Sequence, residues 1–424
     1  MGAKRSARRL PSFGGEAAIA GAIIVMNIAT YGFTIVAARL LGPQPYGALA
    51  ALMATLLVLA VLQLGLQATA ARRIAADPGR TTQIERVVLG VTYRAALVLG
   101  LLVLLCSPLL VVLLHLDGLG PAVLVAVATV PLTIMGGQAG ILQGERRWRG
   151  LSLVYLAAGV PRLVIGAALL LWRPTEGSAM LAVALAAVVP VVVGWYLLRR
   201  PRDAGTQSEL HASRLVVKES LRNAQALLAF FALSSADVVV ARNVLDPHDA
   251  GLYAAGLIVT KAVLFLPQFV VVVAFPAMST RNERQRALRS SLLLIGVLGV
   301  AGTAGAWVLS GLALVFVGGR QYAEVEDALW GFAVLGTVLS MLQLLVYSVV
   351  ARQGRRSVYL VWAALVGVVA LGSLASSPTG LLVTVTIVDT LLLATLLVVN
   401  LSRIATVNDE EPDEDPAPTT PPPQ

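Results

Sequence analysis

Between Ala17 and Ala38 the chain runs through 22 residues, AAIAGAIIVMNIATYGFTIVAA, without one charged side chain. A helix of that length rises about 33 Å, enough to cross the roughly 30 Å hydrocarbon core of a bilayer. Runs of this kind recur almost to the C-terminus. In lipid every backbone N–H and C=O must find a partner inside the protein, so only helices and closed barrels cross. Barrel strands alternate polar and apolar positions, and these runs do not. Composition agrees: 13% of the 424 residues are charged, against about 25% in a soluble domain. The chain reads as an all-α integral membrane protein.

Twelve spans are expected, near 13–38, 46–71, 87–114, 121–143, 150–172, 178–198, 219–241, 250–277, 288–317, 325–350, 357–375 and 379–402. Apart from the stretch at 199–218, nearly every connection is short, so no extramembrane domain is expected. The basic residues support the count. Of 32 Lys and Arg, 25 fall in alternate segments that begin with the N-terminus. Only Arg39, Arg173, Arg242 and Arg320 fall on the opposite side, and Arg94, Arg162 and Lys261 fall within spans. The positive-inside rule then places both termini in the cytoplasm of a multi-pass protein of the cell (plasma or inner) membrane.

The same distribution argues against nucleic acid as a partner for the net charge of +9, because the cations are spread over separate loops. The N-terminal apolar run is too long for a signal-peptide core and lacks a cleavage site, so a retained first helix is expected. The end of the chain, NDEEPDEDPAPTTPPPQ, is acidic and proline-rich. It cannot bury apolar area, and residues 405–424 are expected to be a disordered cytoplasmic tail. Cys106 is the lone cysteine, and His115, His211 and His248 lie far apart. These residues form no metal-ligand spacing, so no metal, no cofactor and no catalytic residue is assigned. A membrane enzyme needs a catalytic constellation, usually on a sizeable external loop, and the external loops are short. The reading is therefore not an enzyme.

The segment ARLLGPQPYG at 38–47 has a counterpart in ARNVLDPHDAGLY at 241–253. Aligning Pro43 with Pro247 also aligns Gly47 with Gly251, Ala50 with Ala254 and Ala51 with Ala255, and a one-residue gap aligns Arg39 with Arg242. Two halves follow: a six-helix bundle at 1–198, a basic linker at 199–218 and a second six-helix bundle at 219–404. Six spans per half is an even number, so both halves enter from one side and the repeat is parallel, related by a pseudo-two-fold axis along the membrane normal. Transporters place their substrate path at such an interface. Gly42, Pro43 and Gly47, with Pro247 and Gly251, read as an outer hinge or turn. Arg39 and Arg242 can cap carbonyls at a helix end, snorkel to the interface, or stand at the outer mouth of a cavity.

A charge at the bilayer centre costs roughly 2.5–3.5 kcal/mol on insertion scales, so it normally faces a cavity or a partner. Arg94, Arg162 and Lys261 are candidate substrate-binding cations in a cavity. Asp237 and Asp389 are candidate ion-coupling groups or charge partners, and the depths of Asp237 and Lys261 allow a cross-helix pair. Glu16 sits at the cytoplasmic entrance to the first span. An anionic head group such as a pyrophosphate needs fixed positive charge along its path, and the planar fork of arginine suits phosphate.

Four stretches resemble the polysaccharide-transport (oligosaccharide-lipid) flippases of the multidrug/oligosaccharidyl-lipid/polysaccharide (MOP) exporter superfamily. VAARLLGPQPYGALAALMA at 36–54 is similar to the junction of that family's first two helices. GILQGERRWRGLSL at 140–153 resembles its helix 4–5 junction, and PRLVIGAALLL at 161–171 the helix that follows. SADVVVARNVLDPHDAGLYAAGLIVTKAVLFLP at 235–267 resembles its helix 7–8 region, where Asp237 and Lys261 match polar positions. The resemblance implies a V-shaped pair of six-helix bundles around a partly hydrated cavity. It implies movement of a polyprenyl-pyrophosphate-linked oligosaccharide from the inner to the outer leaflet by alternating access, in cell-surface polysaccharide biosynthesis. The expected partners are the lipid-linked glycan and the bilayer, with polysaccharide-assembly proteins as further candidates. A multidrug or metabolite antiporter of the same superfamily is the alternative, since it would share the fold.

Overall fold

The structure, a computed structural model, describes residues 13–199, 213–264, 281–352 and 355–408. Among these residues every regular element is helical. The first half contains α1 (Phe13–Leu41), α2 (Pro43–Leu59), α3 (Val61–Ala76), α4 (Thr81–Leu105), α5 (Ser107–Leu114), α6 (Leu119–Gly144), α7 (Trp148–Trp172) and α8 (Glu176–Leu198). The second contains α9 (Ser213–Val244), α10 (Pro247–Leu264), α11 (Arg281–Val308), α12 (Ser310–Val317), a 3-10 segment (Arg320–Ala328), α13 (Leu329–Arg352), α14 (Arg355–Gly372) and α15 (Pro378–Asn408).

Ten helical stretches among the described residues are long and apolar enough to cross a membrane. A shorter apolar stretch, Val358–Gly372, lies in α14. Helix α10 is the described start of the span expected at 250–277; residues 265–280 lie outside the described residues. Three expected spans are each broken in two. Span 2 breaks at Ala60 between α2 and α3. Span 3 breaks at Cys106, where Pro108 in the first turn of α5 lacks the N–H that a continuing helix needs. Span 9 breaks at Leu309 between α11 and α12. At the centre, α9 starts at Ser213, inside the stretch read as linker, and residues 200–212 lie outside the described residues. Helix α15 runs to Asn408, past the expected start of the tail, whose remaining residues 409–424 are also outside.

Helix packing sorts into two groups. In the first, α1 packs on α7, α7 and α6 on α8, and α3 and α4 on α6. In the second, α10 and α11 pack on α13, α9 on α14, and α13 and α14 on α15. Lipid tails are as apolar as leucine, so helix association in a membrane depends on close packing and small residues. The α3–α6 seam uses Gly136, Gly140 and Gly144, one turn apart: a Cβ at any of them would collide with Gln63, Gln67 or Ile74. The groups meet where α2 crosses α9 and α10 and where α3 runs along α9. Large apolar side chains such as Leu97, Leu105, Trp172 and Trp307 are exposed. That is unfavourable in water and required of a surface that faces hydrocarbon.

Candidate functional site

On the face opposite the termini the two groups touch backbone to backbone. Gly42 has φ 78°, a left-handed conformation that glycine adopts without strain. It ends α1 and lets Pro43 start α2. A Cβ on Gly47 would lie 3.0 Å from the Cα of Gly251, and a Cβ on Gly251 would collide with the Pro43 carbonyl. The two glycines that the repeat aligns are therefore each other's neighbours across the junction. The first halves of α2 and α10 press together there, with Ala50, Ala51, Ala254 and Ala255 all buried.

The aligned arginines form two reciprocal caps. Arg39, at the end of α1, donates to the Val315 carbonyl in the last turn of α12 at 2.7 Å. Arg242, near the end of α9, donates to the carbonyls of Leu114 (3.0 Å) and His115 (2.6 Å) at the end of α5. Each arginine thus caps the short outer helix of the other half, where the helix dipole is negative. Of the readings open for them, capping holds, but across the junction instead of on their own helices. Asn243 donates to Leu113 at 2.9 Å beside Arg242. Tyr322 and Gln321, from the 3-10 segment, donate to the Ala38 carbonyl at 2.8 and 3.0 Å. Tyr31 reaches Ile258 at 3.3 Å. These bonds hold the junction closed on this face.

The intramembrane charges are divided between the halves. Arg162 lies ten residues before the end of α7 at Trp172, so its Cα is about 15 Å deep, near the midplane. Its guanidinium lies over the Phe33 ring of α1, 5.8 Å from the centroid, and it has no ion pair with a described residue. Pro161 precedes it, a position where the helix loses a backbone bond. Arg94 does not join it. It is exposed on α4 and shares a helix face with Leu97, Val98 and Leu101, which are 66%, 58% and 56% exposed. On this exposed, mostly apolar face the long stem of Arg94 allows its charge to snorkel.

In the second half, Asp237 on α9, Tyr253 on α10 and Asp389 on α15 are all buried. Asp237 accepts from the Tyr253 hydroxyl at 3.1 Å and from the Val238 N–H at 2.8 Å. Asp389 is close enough to feel the charge of Asp237 and to act on Tyr253, and among the described residues its Oδ1 has no hydrogen-bond partner. Lys261 is half-buried on α10, within electrostatic reach of Asp237. The cross-helix pair that their depths allow is not a direct contact: among the described residues no ion pair joins the two, and the direct partner of Asp237 is Tyr253. The second half thus sets two buried carboxylates within electrostatic reach of each other, with Lys261 near the first of them.

Sequence reasoning missed three features. Tyr253, read only as part of a turn, is the hydroxyl that donates to Asp237; it lies 16 residues beyond Asp237 on another helix, so no periodicity links them. In the first half, Gln67 donates to Gln143 (2.9 Å) and Tyr155 (2.8 Å), a polar chain across α3, α6 and α7. On the basic face, Glu219 of α9 accepts from Arg72 (3.0 Å) and Arg73 (2.9 Å) of α3, tying the halves together at that end. The lone glutamate among the arginines near the start of span 7 was the available signal.

Residues 15–281 match the family described as polysaccharide biosynthesis protein. No curated protein sequence matches the chain. Among solved structures, an inward-facing multidrug resistance MATE family transporter of the MOP superfamily aligns with a TM-score of 0.74 at 15% identity, over 91% of this chain and 96% of that one. The MATE multidrug transporter DinF-BH, solved as a complex, aligns with a TM-score of 0.66 at 13% identity, over 96% and 100%. An outward-facing MATE family transporter of the same superfamily aligns at 0.62 and 16% identity, over 94% and 97%. At these identities the likeness establishes the fold. Since the family match spans well over half of the sequence, the chain belongs to the polysaccharide biosynthesis protein family, built as a multi-pass membrane protein on the fold of the MOP superfamily.

Proposed function

We propose that this protein is a flippase that moves a polyprenyl-pyrophosphate-linked oligosaccharide, or a related glycolipid, from the inner to the outer leaflet by alternating access. The observation that carries the reading is Arg162, an arginine near mid-membrane that pairs with an aromatic face and no described carboxylate. A guanidinium so placed suits a passing phosphate group, and the family description supplies polysaccharide synthesis as the setting. The Lys/Arg bias supports cytoplasmic termini in the cell membrane. The closed junction then faces outward, and the cycle opens it in alternation with the basic face, where Arg72 and Arg73 hold Glu219.

The direct test is the position of the glycan. Deleting the gene is expected to leave lipid-linked glycan on the cytoplasmic leaflet, out of reach of an external lectin or glycosidase. Normal external labelling in a strain without a redundant flippase removes the reading.

The Asp237–Tyr253–Asp389 cluster serves as the coupling site. Asp237→Asn and Asp389→Asn are each expected to remove the dependence of transport on a proton or sodium gradient, measured by collapsing each gradient with an ionophore. Unchanged gradient dependence in both variants would reduce the carboxylates to structural groups. The same cluster favours the second reading, a multidrug or metabolite antiporter, because carboxylates also attract organic cations. Transport of cationic dyes without glycan transport would select it.

A further inference from the structure

A groove of about 530 Å³ opens beside the junction, lined by α2 and α5 from one half and by α9 and α14 from the other. Its lining is almost wholly apolar. The polar residues in it are Thr55, Ser235, Asn243 and Ser373. Thr55 donates to Ala51 at 2.9 Å, Ser373 to Ala370 at 2.8 Å, and Asn243 to Leu113 and Val239 at 2.9 and 2.8 Å. The donors of these three are spent on backbone carbonyls, so a polar head group would lose hydration there and gain little beyond the Ser235 hydroxyl. A hydrocarbon chain loses nothing.

The dimensions fit one leaflet. Along α9 the lining extends from Ala232 to Val244, about 18 Å at 1.5 Å per residue, against roughly 15 Å for half of the hydrocarbon core. Val244 ends α9 on the face opposite the termini, so the groove occupies the leaflet on that face. Leu113 and Val369 are 42% and 47% exposed on its walls, which leaves it open sideways to the bilayer. Ala54, Ala232 and Ala236 in the lining leave room for a branched chain.

The repeat makes the groove more telling. At the equivalent junction, between α1 and α12, the 3-10 segment lies over the contact, bonded to Ala38 through Gln321 and Tyr322. In the first half α5 passes to α6 through residues 115–118 alone, with no counterpart of that segment. The chain covers one side of the junction with its own residues and leaves the other to the membrane. The open side also adjoins the Arg242 and Asn243 contacts that close the junction, and its walls belong to both halves. Any movement of the halves therefore reshapes it.

We infer that this groove receives the isoprenoid tail of the lipid that carries the glycan, as the head group reaches the opposite leaflet. The inference rests on the flippase reading. The tail stays in hydrocarbon beside the junction while the head passes between the halves, and its arrival alters the groove that the opening of the junction must reshape.

The test uses the full chain in lipid nanodiscs with two photoreactive probes: a polyprenyl phosphate with a diazirine in its tail, and a phosphatidylglycerol with a diazirine in one acyl chain. The polyprenyl probe is expected to label peptides spanning 232–244 and 365–373, and unlabelled polyprenyl phosphate, but not phosphatidylglycerol, competes that label away. Ala236→Trp fills the groove, and Val369→Trp narrows its exposed rim with little risk to folding; both are expected to lose the competable label. Equal labelling by both probes without competition, or an unchanged label in both variants, overturns the assignment and leaves ordinary boundary lipid. Normal glycan transport without a competable label overturns the groove alone. A competable label without glycan transport overturns the flippase reading and leaves a polyprenyl-lipid site.

Discussion

Arg162→Ala is expected to abolish transport of the lipid-linked glycan while the protein remains inserted and folded. The sign of the stability effect separates this residue from a structural one. A cation near mid-membrane costs roughly 2.5–3.5 kcal/mol on insertion scales, and the Phe33 face at 5.8 Å returns only a part of that, about 0.5–2 kcal/mol. Removing the charge therefore leaves the fold as stable as before, or more so. What is lost is the contact with an anionic head group. Leaving a buried charge unpaired costs about 2–5 kcal/mol, which corresponds to at least ~30-fold in transport at low substrate. Arg162→Lys keeps the charge without the planar fork and is expected to fall between. The measurement is leaflet-resolved glycan labelling beside a melting curve of the purified protein. Wild-type transport by Arg162→Ala would make this arginine a structural residue.

Gly251→Val is expected to hold the protein open on the face opposite the termini. The Cβ would collide with the Pro43 carbonyl, a backbone atom that no rotamer change can move. Overpacking of this kind costs about 1–3 kcal/mol, enough to shift a two-state equilibrium by about fivefold to a hundredfold. The cost falls on the state in which the two backbones meet. Transport stops because the cycle can no longer return. Accessibility reads the state directly. In a Cys106→Ser background, Ala254→Cys is expected to resist a membrane-impermeant maleimide, because Ala254 is 2% exposed. Adding Gly251→Val exposes it. Gly47→Ala, whose Cβ meets Gly251 at 3.0 Å, is expected to give the same change more weakly. Protection of Ala254→Cys in both variants, with normal transport, would mean that the glycine contact is not part of the gate.

The recurrence of a proline break after an arginine was visible in the sequence, and so was its meaning as the mark of two equivalent halves. Its energetic reason was not. Turn chemistry accounts for Gly42 and Pro43, but Gly47 and Gly251 lie inside helices, where glycine is a poor local choice. They are glycine because two helix backbones meet there, a contact between residues 204 positions apart. Arg39 and Arg242 show the same limit: a helix-terminal arginine is expected to serve its own helix, and only the packing of the halves gives each the other's carbonyls. Arg94 and Arg162 look alike in sequence, each a lone cation in an apolar run. One turns to lipid and one to α1, because helix rotation is set by neighbours and not by depth.

The sequence by itself determined the solvent, the secondary structure and the repeat. A chain with so few charges and such long apolar runs has one stable setting, a bilayer, and one way to satisfy its backbone there, as helices. The tertiary structure decided which polar groups meet. It joined Asp237 to Tyr253 and brought Asp389 close, left Lys261 without a direct ion pair to Asp237, and opened a groove on one side of the junction. Those outcomes depend on angles and rotations between helices far apart in the chain. In a membrane they are governed by close packing and a few hydrogen bonds, and no local pattern of residues encodes them.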